Sequence, residues 1–402
     1  MLDYFRADNF KSLVNVSFEP TGLNLLVGSN NAGKTNLCHA MRFLSLTSRA
    51  SLLEASRQCT AEPWSLANVY FDKSTIDLSL RCTLKSEDKS YKFDYELSLT
   101  APRAGQGHRQ SIPLGVQREV LRVTGGAFNE TVLLENDAGQ VKLLHERVFL
   151  GEQPREDEYV KTTAPPDHTM LFRLYDLETN QYANLFKRYI GSWQYFNLDT
   201  MSLRNNTAQP LEVVLLPDGR NLASVLYNLK SSEERLYRKV VDAAKTVEPK
   251  LDLINFQSPD PDHVYMFFED EKGKRFSATN ISDGTLRYLA LCTLVILNRR
   301  IGKAEGGSPF VIIEEPENGI FVGHLKPLFE RIEPSGKEGQ YLFTSHSPYF
   351  IDLFDACLDG VWVARNPKPH THTTIERPPK VKLEKCLAEY SLGEMHFRGL
   401  LK

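Results

Sequence analysis

The chain has 402 residues, of which 41% are hydrophobic and 25% charged, a length sufficient for two to three domains or for one domain with a large insertion. The sequence holds no apolar run as long as a membrane span and no signal-peptide pattern at its start, so we expect a soluble, cytoplasmic protein without a membrane partner. A formal net charge of −3 gives no indication that the protein binds nucleic acid. Such binding would require a local basic groove. Six scattered cysteines without a C-x-x-C pair indicate neither a disulfide framework nor a zinc knuckle.

The N-terminal residues predict strands. Leu2–Arg6 and Val14–Phe18 alternate apolar and polar side chains, which is typical of strands with one buried face, and Asn9–Leu13 between them is predicted to turn. Leu23–Val27 is predicted to be a buried strand, and it leads directly into a segment that contains two glycines.

That segment, Gly28–Thr35, fits the phosphate-binding pattern G-x-x-x-x-G-K-[ST] at every fixed position. Apolar residues at helical spacing follow it, so strand, loop and helix occur in the order that the pattern requires. We expect the loop to bind a nucleoside triphosphate, with Lys34 on the β- and γ-phosphates and the Thr35 hydroxyl on a bridging Mg²⁺. The residues predicted to bind the nucleotide here are Gly28, Ser29, Asn30, Asn31, Ala32, Gly33, Lys34, Thr35 and Asn36.

The middle of the chain predicts strands first and helices later. Alternating runs at 76–82 and 93–99 are predicted to form a hairpin, and shorter strand-like runs follow at 119–123 and 141–144. The Pro-, Glu-, Asp- and Thr-rich residues 151–168 are predicted to be an exposed connection. Helical patterns then follow at 185–190, 222–229 and 236–247, without a heptad run long enough for a coiled-coil arm.

A second candidate phosphate contact lies at Asn280–Thr285. Ser282 and Asp283 are natural helix caps, and the apolar stripe that follows them predicts a core-facing helix. Helix N-termini attract anions, so this turn, with Gly284, is a candidate for binding phosphate. The alternative is a well-capped structural helix without a ligand.

Two further short strands end in polar residues. Phe310–Ile313 leads into Glu314 and Glu315, and a buried strand that ends in carboxylates suits a Mg²⁺-nucleotide site. Glu314 would orient water on the metal and Glu315 would take a proton from the attacking water, the alternative being a solvated acidic turn. His346 follows the strand Tyr341–Thr344 and could reach the γ-phosphate, although a single histidine is more often a packing or surface residue.

Four motifs occur in a fixed order along the chain: Gly28–Thr35, Ser282–Gly284, Glu314–Glu315 and His346. In this order they resemble the ATP-binding-cassette (ABC) ATPases of the SMC/RecF class, and more closely the overcoming-lysogenization-defect (OLD) branch of that class. The stretches that are similar to that branch are Asn9–Ser12, Ile281–Arg287, Glu314–Gly319 and Thr344–Pro348.

The resemblance implies an α/β fold, an ABC-type P-loop ATPase head with a β-rich N-terminal lobe and a helical inserted middle region. The implied division is 1–105 for the first lobe, 106–265 for the inserted region and 266–402 for the second lobe. ATP and Mg²⁺ are the implied cofactors.

In such a head, the phosphate loop of one subunit holds ATP and Ser282, Asp283 and Gly284 of a second subunit close over it, so a homodimer or a higher oligomer is implied. By position, Glu314 takes the metal-associated place and Glu315 that of the catalytic base. His346 takes the place of the γ-phosphate switch, and Lys11 matches a position that can approach the nucleotide.

The sequence departs from the class in three places. Glu314 stands where Asp is usual, and Ile320–Val322 replaces the histidine-proline pattern that is common in the branch. The glutamine-containing loop of the class is not identifiable, since Gln58, the only nearby candidate, stands in a poor context. OLD proteins carry a Toprim nuclease after the ATPase, whereas residues 347–402 are too few for one and lack an Asp-x-Asp pair. We therefore expect a stand-alone ATPase that acts on a separate effector protein.

Three functions remain open from the sequence. The first is an ATP-dependent sensor or regulator of an effector in bacterial defence against phage, and the second is a RecF-like, ATP-gated DNA-binding protein in repair. The third is a structural scaffold in which ATP binding only locks a dimer.

Overall fold

A computed structural model describes residues 1–71, 73–102, 113–147, 154–175, 179–204, 213–260, 263–304, 309–367 and 372–401. The chain divides into two compact units, each assembled from three separate stretches. The first unit comprises Met1–Thr21, Gly28–Trp193 and Trp362–Arg377, and the second comprises Gly22–Val27, Gln194–Val361 and Pro378–Lys402. The division into consecutive segments at 105 and 265 stays a prediction, and its first boundary lies outside the described residues.

The strands of the described residues are, in chain order, β1 (Leu2–Asp8), β2 (Val16–Phe18), β3 (Leu23–Val27), β4 (Thr75–Ser86), β5 (Lys89–Thr100), β6 (Val116–Gly125), β7 (Phe128–Asp137), β8 (Gln140–Leu144), β9 (Tyr159–Thr163), β10 (Gln194–Phe196), β11 (Leu251–Asp260), β12 (His263–Asp270), β13 (Arg275–Ser277), β14 (Phe310–Glu314), β15 (Gln340–Thr344), β16 (Val361–Arg365) and β17 (Thr374–Glu376).

The α-helices are α1 (Lys34–Thr47), α2 (Leu52–Arg57), α3 (Met170–Arg173), α4 (Gln181–Gly191), α5 (Thr200–Leu203), α6 (Leu222–Ser232), α7 (Glu234–Lys245), α8 (Asp283–Ala304), α9 (Leu325–Ile332), α10 (Pro348–Asp352), α11 (Lys380–Leu387) and α12 (Leu392–Phe397). Among the helices that the structure describes, none has the length and apolar character needed to cross a membrane.

The first unit contains an antiparallel sheet in the order β2-β1-β4-β5-β6-β7-β8-β9. Its strands alternate buried and solvated side chains because successive residues of a strand point to opposite faces. Phe186 of α4 packs against the buried face, with its ring centroid 5.6 Å from that of Phe93 and 5.2 Å from that of Tyr95. The expected hairpin at 76–99 is present, and Glu87 and Asp88 form its tight turn with φ angles of 48° and 61°.

The expectation for residues 151–168 is wrong in one respect, because the strand β9 lies within them. It pairs antiparallel with β8 from Gln140↔Thr163 to Leu144↔Tyr159 and forms one edge of the sheet. Four of its five residues are exposed, so no buried face imposes the apolar alternation by which a strand is usually detected.

The second unit is built around the parallel strands β10, β14, β15 and β3, which neighbour one another in that order. All five residues of β3, of β14 and of β15 are buried, as is typical of parallel strands covered on both faces. Because parallel strands end at the same edge of a sheet, Glu314 lies opposite Thr344, and the residues after both strands meet there.

The second unit also contains a small antiparallel sheet, β11-β12-β13, within residues for which the sequence predicts no strands. Its inner face buries Ile254, Met266 and Phe268, while the hydroxyl of Tyr237 on α7 donates to the Ile254 carbonyl. A register shift between Leu251 and Leu253 interrupts the period-2 pattern, which explains why alternation alone does not reveal β11.

Candidate functional site

The phosphate loop has the backbone conformation for which its glycines are needed. A Cβ atom on Gly28 would lie 2.4 Å from the Ala364 carbonyl oxygen, and one on Gly33 would lie 2.1 Å from Thr373 Oγ1. Gly33 has a φ of 94° and precedes α1, while Asn31 has a φ of 63°, a value that asparagine tolerates better than most residues. Close contacts or a left-handed backbone therefore explain why glycine is required at both fixed glycine positions of the motif.

The first turn of α1 carries the candidate phosphate ligands. Lys34 is buried, and its Nζ donates to the carbonyl oxygens of Gly28 at 2.8 Å and of Ser29 at 3.2 Å. The side chains of Thr35 and of Ser29–Asn31 are exposed, and Ala32 is buried. The helix begins with N–H groups that no intrahelical carbonyl can accept, which is the arrangement that binds phosphate in other proteins.

A polar cluster supports the loop within the first unit. Ser12 Oγ lies 2.6 Å from Thr373 Oγ1 and accepts a hydrogen bond from Asn36 Nδ2 at 2.7 Å. Lys11 has a φ of 50°, and its Nζ lies 2.7 Å from His39 Nδ1 and donates to the Cys59 carbonyl at 2.6 Å. Burial, assisted by the Lys11 charge, lowers the pKa of His39 to about 3, so the ring is neutral and accepts from Lys11.

The structure thus places Lys11 in a contact with α1 and the segment after α2, and its approach to a nucleotide stays a prediction. Gln58, the candidate for the glutamine loop, is exposed at the end of α2, where its Oε1 accepts from Arg42 Nη2 at 3.3 Å.

In the second unit, the two consecutive carboxylates after β14 have different surroundings. Glu314 is buried, and its Oε1 accepts a hydrogen bond from the Tyr195 hydroxyl at 2.9 Å. Glu315 leaves the strand with a φ of 43°, an uncommon value for a residue with a side chain, while its N–H donates to the Thr344 carbonyl at 3.0 Å. The left-handed backbone turns the Glu315 side chain out of the buried strand, and its carboxylate is about half-exposed.

Glu315 and His346 meet at the edge of the sheet. Glu315 Oε1 lies 3.7 Å from His346 Nε2, which is too long for a hydrogen bond but close enough for the two groups to act on one small ligand. Glu315 Oε2 accepts a hydrogen bond from Asn318 Nδ2 at 2.6 Å. The structure therefore brings together two residues that the sequence places 31 positions apart.

Glu317 is a further residue of the site, and the sequence alone predicts no role for it. Its Oε1 accepts from Ser345 Oγ at 2.6 Å, from the His346 N–H at 3.1 Å and from the Ser347 N–H at 3.2 Å. Burial raises the pKa of this carboxyl, while the three donors oppose the shift. The short segment Glu-Glu-Pro-Glu contains Glu317, but the partners of Glu317 lie in the residues after β15, a contact that the segment itself does not reveal.

The signature turn, residues Ser282–Gly284, begins α8 much as expected. Ser282 is the cap, since its Oγ accepts from the Thr285 N–H at 3.1 Å, whereas Asp283 is the first helical residue and not a cap. Arg204, which the sequence analysis missed, holds this turn: it donates to the Ala278 carbonyl at 3.1 Å, to the Ile281 carbonyl at 2.8 Å and to Asp283 Oδ1. One rigid guanidinium thereby fixes the backbone before the helix and its first side chain.

The oxygen donors of the predicted metal residues suit Mg²⁺, which prefers hard oxygen ligands. Within the described residues there is no group of three or more His, Cys, Asp or Glu side chains able to hold a metal ion. Mg²⁺ commonly binds through one or two carboxylates together with substrate phosphates and water, so the assignment of Glu314 and of Thr35 as metal ligands stays a prediction.

The fold defines the class of the protein as an ABC-type ATPase head, and the α/β P-loop head expected from the sequence is confirmed. The structure is similar to the SMC head bound to the C-winged helix domain of ScpA, with 11% identity, a TM-score of 0.57, and 96% of this chain and 99% of that chain covered. It is also similar to the SMC head domain with an extended coiled coil, derived from Pyrococcus furiosus, bound to the C-terminal domain of ScpA. That match has 10% identity, a TM-score of 0.51, and covers 96% of this chain and 98% of the other.

Residues 23–352 match the protein family described as "AAA domain, putative AbiEii toxin, Type IV TA system", and the chain belongs to this family. It is also 33% identical over 92 residues to the DNA replication and repair protein RecF of Lactobacillus acidophilus. That match covers 22% of this chain and spans only 24% of the length of RecF. The likeness to the SMC/RecF class is thus supported, and the assignment to the OLD branch stays a prediction.

Proposed function

We propose that the protein binds and hydrolyses ATP, and the observation that carries this proposal is the arrangement at Glu315. Its carboxylate projects from the end of a buried parallel strand beside His346, in a chain that also has a complete phosphate loop. A half-exposed carboxylate at such a position can accept a proton from water, which a fully buried and saturated one cannot.

The proposed reaction assigns a role to each group. The loop N–H groups and Lys34 bind the β- and γ-phosphates, and Glu315 accepts a proton from the attacking water. The water oxygen then bonds to the γ-phosphorus as the bond to the β–γ bridging oxygen breaks, giving ADP and phosphate. His346 donates a hydrogen bond to a γ-phosphate oxygen. Thr35 and Glu314 would hold a Mg²⁺ ion, which would supply positive charge against the phosphates.

The proposal includes a dimer in which the signature turn of one copy contacts the ATP bound to the other. Ser282 and Asp283 are exposed, as a turn that meets a partner must be, and Arg204 keeps the turn in one conformation. Such a dimer predicts a larger hydrodynamic radius with a non-hydrolysable ATP analogue than with ADP.

The proposed biological role is to sense or regulate, through its nucleotide state, a separate effector in bacterial defence against phage. Two points support this role: the chain belongs to a family whose description names a toxin of a toxin–antitoxin system, and its motifs resemble the OLD branch. The test is a deletion strain of the native host complemented with wild-type protein or with Lys34→Ala. We expect the efficiency of phage plating to rise in the deletion strain and to fall with wild type alone. Equal plating in all strains would contradict the defence role.

A RecF-like role in DNA repair is the second candidate, because RecF is 33% identical to the chain over 92 residues. This role predicts DNA binding that requires ATP and weakens steeply with salt, since cationic contacts to phosphates release counterions. A fluorescent duplex titrated at two salt concentrations, with and without ATP, separates it from the first role.

A further inference from the structure

The signature turn and the acidic turn, defined here as residues Glu315–Gly319, touch through their backbones in the second unit. A Cβ atom on Gly284 would lie 2.3 Å from the Gly319 carbonyl oxygen, so the backbones of the two turns approach as closely as a glycine permits. Gly319 has a φ of 72°, and a Cβ atom there would meet Asp283 Cβ at 3.8 Å. A displacement of the signature turn toward the acidic turn therefore has to move Gly319, because no space lies between them.

The residue before Gly319 binds the candidate base. Asn318 donates two hydrogen bonds to Glu315, one from its side-chain Nδ2 to Oε2 at 2.6 Å and one from its backbone N–H to the carbonyl oxygen at 3.1 Å. Hydrogen bonds to a carboxylate are shorter and stronger than those between neutral groups. Asn318 itself is exposed, so its side chain contributes to the position of Glu315 and not to the core.

We propose that Asn318 is a positioning residue for ATP hydrolysis, which transmits the placement of the signature turn to the carboxylate of Glu315. Its amide holds Oε2 and leaves Oε1 directed toward His346. This is the side on which the proposed reaction places the attacking water. When a second copy engages the signature turn, the contact between Gly284 and Gly319 shifts Asn318 and with it the base. Turnover thereby depends on dimer formation. The inference rests on the proposed ATPase function.

Three variants at position 318 separate the amide donor from the bulk of the side chain. Asn318→Asp keeps the shape but replaces the donor with a carboxylate and places a like charge beside Glu315, while Asn318→Ala removes the whole amide, donor and bulk together, without adding charge. Asn318→Gln retains an amide. We expect kcat to fall about tenfold for Ala and further for Asp, with the Kd for ATP unchanged, and Gln to recover part of the rate. Asn129→Ala, at an exposed asparagine of the first unit, is the matched control.

The decisive readout is the effect of Asn318→Ala in a Glu315→Gln background. A residue that acts only through Glu315 has no further effect on kcat there, whereas a general structural role lowers the rate of both backgrounds by the same factor. Gly284→Ala is expected to lower kcat as well, because the added methyl group forces the two turns apart. If the wild type hydrolyses ATP and Asn318→Ala does so at the same rate, this inference is overturned and the proposed function stands. If the wild type does not hydrolyse ATP, both are overturned.

Discussion

The hydroxyl of Ser345 donates a 2.6 Å hydrogen bond to Glu317, which joins the acidic turn to the residue just before His346. The same carboxylate oxygen accepts the N–H groups of His346 and Ser347, so one partly buried side chain holds the residues that follow β15. Glu317 thus holds the backbone of His346, one member of the candidate pair, and it follows the other member, Glu315, by two positions in the acidic turn.

Replacing Glu317 with alanine should destabilise the protein and slow ATP turnover. Three donors would lose their acceptor, and leaving buried polar groups unsatisfied costs about 1–3 kcal/mol each in general, with water able to reduce the loss. Glu317→Gln retains an acceptor oxygen and should lose less. Urea unfolding combined with a turnover assay measures both effects. An alanine variant that unfolds at the wild-type urea midpoint would show that these contacts contribute nothing.

Lys34→Ala should remove ATP binding. A charged hydrogen bond to phosphate is worth about 1.5–3 kcal/mol, so loss of several such contacts weakens affinity by roughly two orders of magnitude or more. Titration with a fluorescent ATP analogue measures the Kd. The control is Lys245→Ala, which removes a half-exposed lysine paired with Asp252 in the second unit. Binding that survives in Lys34→Ala would mean that the loop does not hold the triphosphate.

Arg204→Gln should weaken ATP-dependent dimer formation while each copy keeps its affinity for ATP. The guanidinium makes three hydrogen bonds around the signature turn, and a loss of about 1.4 kcal/mol at that contact is a tenfold weaker dimer. Arg204→Lys keeps the charge without the rigid fork and should restore little. Analytical ultracentrifugation with an ATP analogue measures the dimer, and Arg238→Gln, at an exposed arginine of α7, is the control. Unchanged dimerisation in Arg204→Gln would mean that the signature turn does not contribute to the dimer interface.

A buried carboxyl in the first unit should make stability depend on pH. Burial raises the pKa of Glu119 to about 7, although the N–H groups of Met170 and Leu171 and the Tyr95 hydroxyl donate to it. Between pH 4.5, the usual pKa of a glutamate, and about pH 7, the folded state holds a proton that the unfolded chain has lost, so the free energy of unfolding falls as pH rises. The fall amounts to about 3 kcal/mol for this group.

Glu119→Gln removes that contribution, and its melting temperature should fall less than that of wild type between pH 5 and pH 8. Glu146, whose pKa burial also raises to about 7, remains and keeps part of the slope. The exposed Glu130 provides the control variant Glu130→Gln. If the melting temperatures of Glu119→Gln and of wild type fall by the same amount between pH 5 and pH 8, Glu119 is not the source of the pH dependence.

The parts of the fold that the sequence predicts are those whose cause is local. The buried run of β14 follows from four adjacent apolar residues, and the phosphate loop follows from glycines whose spacing is constrained by the backbone. In contrast, β11 has a register shift and β9 has an exposed face, so neither shows the alternation on which detection depends.

The site residues that sequence reasoning missed depend on contacts between distant segments. Arg204 reaches a turn 79 positions away, and Tyr195 donates to Glu314 across 119 positions. Neither arginine nor tyrosine stands in a motif, so their roles become visible only when the sheet and the helices bring the segments together. The acidic turn is an intermediate case, since Glu315 was predicted but its left-handed backbone, which separates it from Glu314, was not.

The most direct test of the account compares phosphate release by wild type, Glu315→Gln and Glu330→Gln at saturating ATP, with the Kd for ATP measured on the same samples. Glu330 is exposed on α9 and serves as the matched control. Loss of a general base typically costs 10²–10⁴-fold, so Glu315→Gln should release phosphate at least about 100-fold more slowly while ATP affinity is retained and the control is unaffected. Phosphate release by Glu315→Gln at the wild-type rate would contradict the assignment of Glu315 as the base.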